Sequence, residues 1–464
     1  MAESSPIRRS RWWQWFLPVM ILQPDVQVLL ISRLLSELGI ATLTYGAMVH
    51  IARAGAGQIE VTLLTTAGAL AALIFGLRGG AIADSMSKRV ALGLGYLLQA
   101  ALCVVVPHYL GTTFLSLLLL VFSVRLLTQI VSPAVKSAVV LVAGAGEIAT
   151  AITLLTMAGG VGSGAGTALL APMLIKLFDI RVMLLVVAVI LLLAAIRTFR
   201  LPSERRSTAL VDGDDPTTEA TLSIRTAGAW LLANPALASI ITSGAIVAVL
   251  NDVFESLQPI FVRDTLSTDP ANSIYVFAPG LIGTVVAVLL SPLLVRWPGE
   301  RWLIGLSLAS FTLAMVLLGV IGTVAPYLAP YSPLHLLSPF GLSFSEPVLA
   351  AGLIGILVKF GGGAANTAVQ SFINRRVGFG QQGAAFGMQN FLQNALGVVG
   401  TLGFGALANR YGTDFVFIAA PFTVVAIVAF LIRRSDGSTG RATEPGSGDR
   451  DGVPAVEEPD YPSS

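Results

Sequence analysis

Charge is what this chain has least of. Only 12% of its 464 residues are Asp, Glu, Lys or Arg, about half of the roughly 25% typical of a soluble domain, which excludes a water-facing surface over most of its length. Cysteine is nearly absent: Cys103 stands alone, so neither a disulfide framework nor a thiolate metal site can form. Histidine occurs three times, at His50, His108 and His335. All three fall on one expected side of the membrane and read as interfacial packing residues, so no metal site is expected. No G-x-x-x-x-G-K-[ST] phosphate loop occurs, which argues against an ATP-driven pump. "GFGQQG" (378–383) has dinucleotide-loop spacing but follows a membrane helix and not a strand, so it reads as a loop. A net charge of +2 without a basic cluster gives no footing for nucleic acid.

What the chain does have is apolar length. It is 55% hydrophobic, with a mean hydropathy of +0.80. Runs of about twenty apolar residues recur, each long enough at roughly 1.5 Å per residue to cross a ~30 Å hydrocarbon core. Twelve spans are expected, near 27–50, 59–78, 90–108, 112–135, 148–172, 182–199, 236–259, 272–295, 302–326, 347–373, 384–408 and 414–433. Arg and Lys concentrate at alternate span ends, including Arg8, Arg9, Arg11, Arg78, Lys88, Arg89, Arg205, Arg206, Arg375 and Arg376. The positive-inside rule therefore places both termini in the cytoplasm of a plasma (inner) membrane. Residues 1–26, with Trp12, Trp13 and Trp15 beside arginines, read as a retained cytoplasmic segment at the inner headgroups.

The spans fall into two sets of six, 27–199 and 236–433, separated by a polar Ser/Thr/Asp/Pro-rich linker at 200–235. Residues 434–464 carry almost nothing to bury and read as a disordered cytoplasmic tail. Residues 327–346 are too Pro-rich to span and read as an aromatic outer loop. An all-α fold of two six-helix halves is the plan of transporters with a substrate site near the midplane between their repeats. "GGVGSGAG" (159–166) reads as a small-residue stripe that lets the fifth span approach a neighbour closely.

One charged interruption is distinctive. "GGAIADSMSKR" (79–89) sets Gly80, Asp84, Lys88 and Arg89 between the second and third spans. This resembles the loop signature of the major facilitator superfamily, departing from it at Ser85 and Ser87. With "LLSELG" (34–39), "SPAVKSAV" (132–139) and "GALANRYG" (405–412), it is similar to the branch that holds macrolide-efflux proteins and the enterobactin exporter. The resemblance implies that Gly80 permits a tight turn, that Asp84 contacts the other half, and that Lys88 and Arg89 pair locally or with headgroups. The N-terminus of the eleventh span, near Gly383, carries unpaired N–H groups and partial positive charge. Asp84 is expected to dock there and latch the halves on the inside.

Six ionisable residues lie in mid-span: Arg33, Glu37, Arg125, Asp252, Glu255 and Lys359. Each costs on the order of 2.5–3.5 kcal/mol to insert. They occupy spans 1, 4, 7 and 10, which line the central cavity in the superfamily plan that the chain resembles. Arg33 and Glu37, at i and i+4, can touch on one helix face. Asn251, Asn366 and Gln370 extend the polar lining, with Thr42, Tyr45, Gln129, Gln389, Asn390, Gln393 and Asn394. Alongside Phe254, Phe360, Phe386 and Phe391 these suggest a site for an amphipathic molecule.

The expectation is a monomeric secondary transporter with no catalytic residues and no cofactor. It exports an amphipathic or hydrophobic small molecule, drug-like or a siderophore, by alternating access in exchange for protons, within membrane lipids. Glu37 is the first candidate proton carrier and Asp252 the second. Lysophospholipid or lipid movement on the same fold is the alternative, and a non-transporting receptor or scaffold is the alternative from another class.

Overall fold

The structure, a computed structural model, describes residues 23–142, 148–201, 235–296, 300–340, 343–376 and 379–440. The N-terminal tryptophans, most of the linker and the end of the tail lie outside them. Among the described residues every regular element is a helix. A bilayer offers the backbone no water, so each span must satisfy its own N–H and C=O groups.

The first half holds α1 (Pro24–Arg53), α2 (Gln58–Ser85), α3 (Lys88–Leu110), α4 (Phe114–Val142), α5 (Ile148–Ala165), α6 (Ala171–Leu177) and α7 (Ile180–Thr198). The fifth span is α5 and α6 joined by a π-helical stretch, Gly166–Leu170. Pro172, at the start of α6, has no N–H for the i−4 carbonyl, and the wider turn before it accommodates that loss.

The second half holds α8 (Pro235–Asp264), α9 (Ser273–Phe277), α10 (Gly280–Arg296), α11 (Glu300–Gly319), α12 (Ile321–Leu328), α13 (Glu346–Arg376), α14 (Phe379–Tyr411) and α15 (Thr413–Gly440). Among the described residues eleven helices are long and apolar enough to cross a membrane, and the count reaches twelve when Pro270–Phe277 and Gly280–Ala287, bent by 40°, are one span. The expected eighth span is thus a broken helix. Its break falls at Ala278 and Pro279, where proline removes a donor.

The ends of the bundle differ. The start of α1, the end of α7, the start of α8 and the end of α15 fall at one end, called here the linker end. The α1–α2 turn falls at the other, the far end. There Ile321–Leu328, Ala329–Tyr331 and Pro333–Phe340 form short helical pieces that bury Ala325, Ala329 and Leu334 and expose Tyr327, Tyr331 and Leu336. The segment expected as an aromatic loop is therefore largely helical, and it does not span.

Two close approaches explain the glycine stripe of the fifth span, one in α5 and one in the π-helical stretch that follows it. A Cβ on Gly166 would lie 2.6 Å from the Leu38 carbonyl oxygen and 2.9 Å from the Ala41 Cβ, and one on Gly162 would collide with the Leu34 carbonyl. Only glycine lets the fifth span lie this near to α1.

The fingerprint segment differs from its expected form. α2 runs to Ser85, so Gly80 and Asp84 sit on its last turns and not in a loop. The turn itself is Met86–Ser87. Lys88 Nζ donates to the Ala83 carbonyl at 3.1 Å, satisfying one of the unpaired acceptors at that helix end. Arg89 lies over the Phe199 ring, 5.9 Å from its centroid, joining the start of α3 to the end of α7. The side chains of Gly80, Asp84 and Gly383, where the expected latch would form, lie outside the described residues.

Candidate transport pathway

The six mid-span charges divide into two groups. Arg33 Nη1 and Glu37 Oε1 pair at 2.9 Å along α1, and both side chains remain about one-fifth exposed. Their neighbours belong to the first half: a Cβ on Gly159 would lie 3.2 Å from Arg33 Nε and 3.6 Å from Glu37 Cγ. Glu37 therefore meets its cation on its own helix.

The other four face the axis between the halves. Lys359 on α13 donates to Glu255 on α8 at 2.7 Å, with 18% and 32% of the side chains exposed. Gly280 makes room for the lysine, since a Cβ there would lie 2.8 Å from Lys359 Cγ. Asn251 lies one turn before Glu255 on the same helix. Asp252 turns toward α14, where a Cβ on Gly397 would lie 3.7 Å from Oδ2. Among the described residues Asp252 forms no salt bridge.

Arg125 approaches from α4. Its Nη2 donates to Thr44 Oγ1 on α1 at 3.1 Å, while Nε is buried without a partner. Gly68 on α2 leaves space for it: a Cβ there would lie 3.3 Å from Nε. The Arg125 charge acts on both Asp252 and Glu255 across the axis.

Not every expected lining residue joins this cluster. Gln370 lies eleven residues beyond Lys359 on α13, roughly 16 Å nearer the linker end, and the Asn366 side chain lies outside the described residues. Phe254 is a correction. It is fully buried, packed edge-to-face against Phe277 and Phe311 at 5.7 and 5.9 Å in the core of the second half. Thr42 is likewise buried and bonds the Leu38 carbonyl at 2.6 Å. Tyr45 and Ser273 face one another across the halves, and neither hydroxyl reaches a partner within hydrogen-bonding geometry.

Polar contacts between the halves gather toward the far end. Arg53 pairs with Asp269. Arg263 Nη1 donates to the Ala52 and Ala56 carbonyls at 2.9 and 2.8 Å, satisfying acceptors at the end of α1. Lys176 donates to Asn272 at 2.8 Å and to the Tyr275 hydroxyl at 3.0 Å. Deeper, Gln58 Nε2 donates to the Ser256 carbonyl at 3.3 Å, and the Thr66 and Thr401 hydroxyls meet at 3.0 Å between α2 and α14. Sequence reasoning passed over Arg53, Arg263 and Asp269. Charges at span ends are ordinary in sequence, and nothing in their spacing marks a partner more than 200 residues away.

Two packed helical halves with ionisable side chains held between them are the plan of a secondary transporter. The chain belongs to the Major Facilitator Superfamily, whose family model matches residues 29–400. No curated protein sequence matches it. Among solved structures it is similar to the nucleoside transporter NupG at 16% identity and a TM-score of 0.63, covering 88% of this chain and 98% of that one. A bacterial homologue of the human lysosomal transporter Spinster, inward-facing and unoccupied, is similar at 14% identity and a TM-score of 0.62, covering 90% and 97%. A POT family transporter in complex with a thioalcohol-conjugated peptide is similar at 12% identity and a TM-score of 0.61, covering 90% and 96%. At these identities the likeness shows the fold.

Proposed function

We propose that the protein exports an amphipathic small molecule from the cytoplasm in exchange for protons, by alternating access at the axial cluster. The observation that carries this reading is the arrangement of Asp252: a carboxylate inside the bundle, turned toward Gly397 of α14, with no salt-bridge partner among the described residues. A carboxylate free of a fixed cation can exchange a proton as the cavity opens and closes. Glu37, held by Arg33 at 2.9 Å, is less free to do so. Asp252 therefore takes the role of proton carrier ahead of Glu37.

Direction rests on charge and on shape. The Arg- and Lys-rich span ends fall at the linker end, which the positive-inside rule assigns to the cytoplasm of the plasma membrane. The contacts at the far end support a state closed toward the outside. Within the superfamily, the motifs that resemble the macrolide-efflux and enterobactin-exporter branch favour an efflux role over uptake. Asp84 remains the proposed inner latch for the opposite state.

The test is uptake of drug-like fluorescent compounds and ferric-siderophore analogues into inverted vesicles, with and without an imposed proton gradient. Accumulation driven by the gradient is expected. Equal accumulation in its absence overturns proton coupling, and no gradient- or protein-dependent movement of any compound favours a receptor or scaffold.

A further inference from the structure

We infer that the substrate is amphoteric: a largely apolar molecule bearing one anionic group, held by Arg125, and one cationic group, held by Asp252. The inference rests on the axial cluster being the transport site and adds the charge pattern of what it takes.

Glu255 and Lys359 satisfy one another at 2.7 Å within the second half. That leaves one cation and one anion unmatched, Arg125 on the first half and Asp252 on the second. Arg125 spends one of its five donors on a neutral hydroxyl, and its Nε has no partner. A guanidinium cannot shed its proton to escape a low-dielectric site, so it calls for an anion. Asp252, with no salt-bridge partner among the described residues, calls for a cation or a proton. Because the four charges sum to zero, an amphoteric ligand leaves the closed site neutral. A ligand of one sign leaves a net charge buried, which costs heavily in a water-poor interior.

The placement agrees. Each unmatched charge lies beside a glycine, Arg125 at Gly68 of α2 and Asp252 at Gly397 of α14. These are the two helices that meet at Thr66 and Thr401. The two glycines seat the charged side chains themselves, one from each half, on the linker side of that seam. A ligand spanning the gap engages both halves, so binding it favours closure around it.

The test uses the purified full-length protein in nanodiscs and several apolar bodies, among them diphenylalanine, a long-chain ω-amino acid and an amphoteric antibiotic. Each is prepared as the amphoteric form, the amine-masked anion, the carboxyl-masked cation and the doubly masked neutral form, and binding is measured by calorimetry. For a body that binds, masking either group is expected to weaken affinity by about tenfold or more. Arg125→Gln should bind the cation-only form as tightly as the amphoteric one, and Asp252→Asn should do the same for the anion-only form. Retained binding of those forms also shows that the variants are folded. Equal binding of a neutral or singly charged form to the unaltered protein, or no amphoteric binder on any body, overturns the inference. Gradient-driven movement of a neutral compound would overturn it while leaving the transport reading intact.

Discussion

Lys359 on α13 and Glu255 on α8 form a 2.7 Å ion pair between residues 104 positions apart, inside the helix bundle of one half. Removing one partner leaves the other's charge without a counter-ion in a partly desolvated site, the costly half of the asymmetry of buried pairs. Lys359→Met alone is expected to lower stability by on the order of 1–3 kcal/mol, below the fully buried range because Glu255 keeps 32% exposure. Glu255→Gln with Lys359→Met should recover most of it. Thermal unfolding of the single and double variants checks this, and a double variant no more stable than the single would show that the pair is not coupled.

Gly162 is where α5 leans on α1. A Cβ there meets the Leu34 carbonyl and lies 3.2 Å from the Leu38 backbone nitrogen, neither of which can rotate away. Gly162→Val should therefore force the helices apart and destabilise the protein by roughly 1–3 kcal/mol or more. Gly160→Val, one position outside the contact with nothing within 4 Å, should be close to neutral. The melting temperatures of the two variants in the same detergent decide the matter.

Thr66 and Thr401 offer a direct handle on the movement of the halves, because their hydroxyls touch at 3.0 Å across α2 and α14. With Cys103, which is buried, replaced by Ala, the pair Thr66→Cys and Thr401→Cys should form a disulfide on mild oxidation. Transport should stop and return on reduction. Undiminished transport by the fully oxidised protein would mean that the halves need not part along this seam.

Glu37 and Asp252 should respond differently to loss of charge. Asp252→Asn is expected to abolish acceleration by a proton gradient while the anion-only form of the ligand still binds. Glu37→Gln leaves Arg33 without its 2.9 Å partner, so it should cost stability yet keep the gradient response. Counterflow and gradient-driven uptake measured side by side separate the roles. A gradient-insensitive Glu37→Gln would return the proton to Glu37.

Much of the architecture is determined by the sequence alone, because whether a segment can cross a bilayer depends on its length and apolarity, which are properties of the segment itself. The near-continuous series of spans, the six-plus-six division and the Arg33–Glu37 contact belong here, the last because i and i+4 meet on any helix. The glycine stripe of the fifth span was legible for a similar reason, since small residues mark where two membrane helices can approach.

Tertiary structure decided the rest, and chiefly the rotation of each helix about its own axis. Lipid is as apolar as a protein core, so a membrane helix carries little sequence contrast between its outward and inward faces. Phe254 was read into the cavity, yet it lies in the core against Phe277 and Phe311, while Asp252, two positions before it, turns toward α14. The Glu255–Lys359 pair, the separation of Arg125 from any fixed carboxylate, and the seal of Arg53, Asp269 and Arg263 depend on which helices become neighbours. That is set by packing between segments hundreds of residues apart, through close approaches and individual hydrogen bonds that leave no period in the chain.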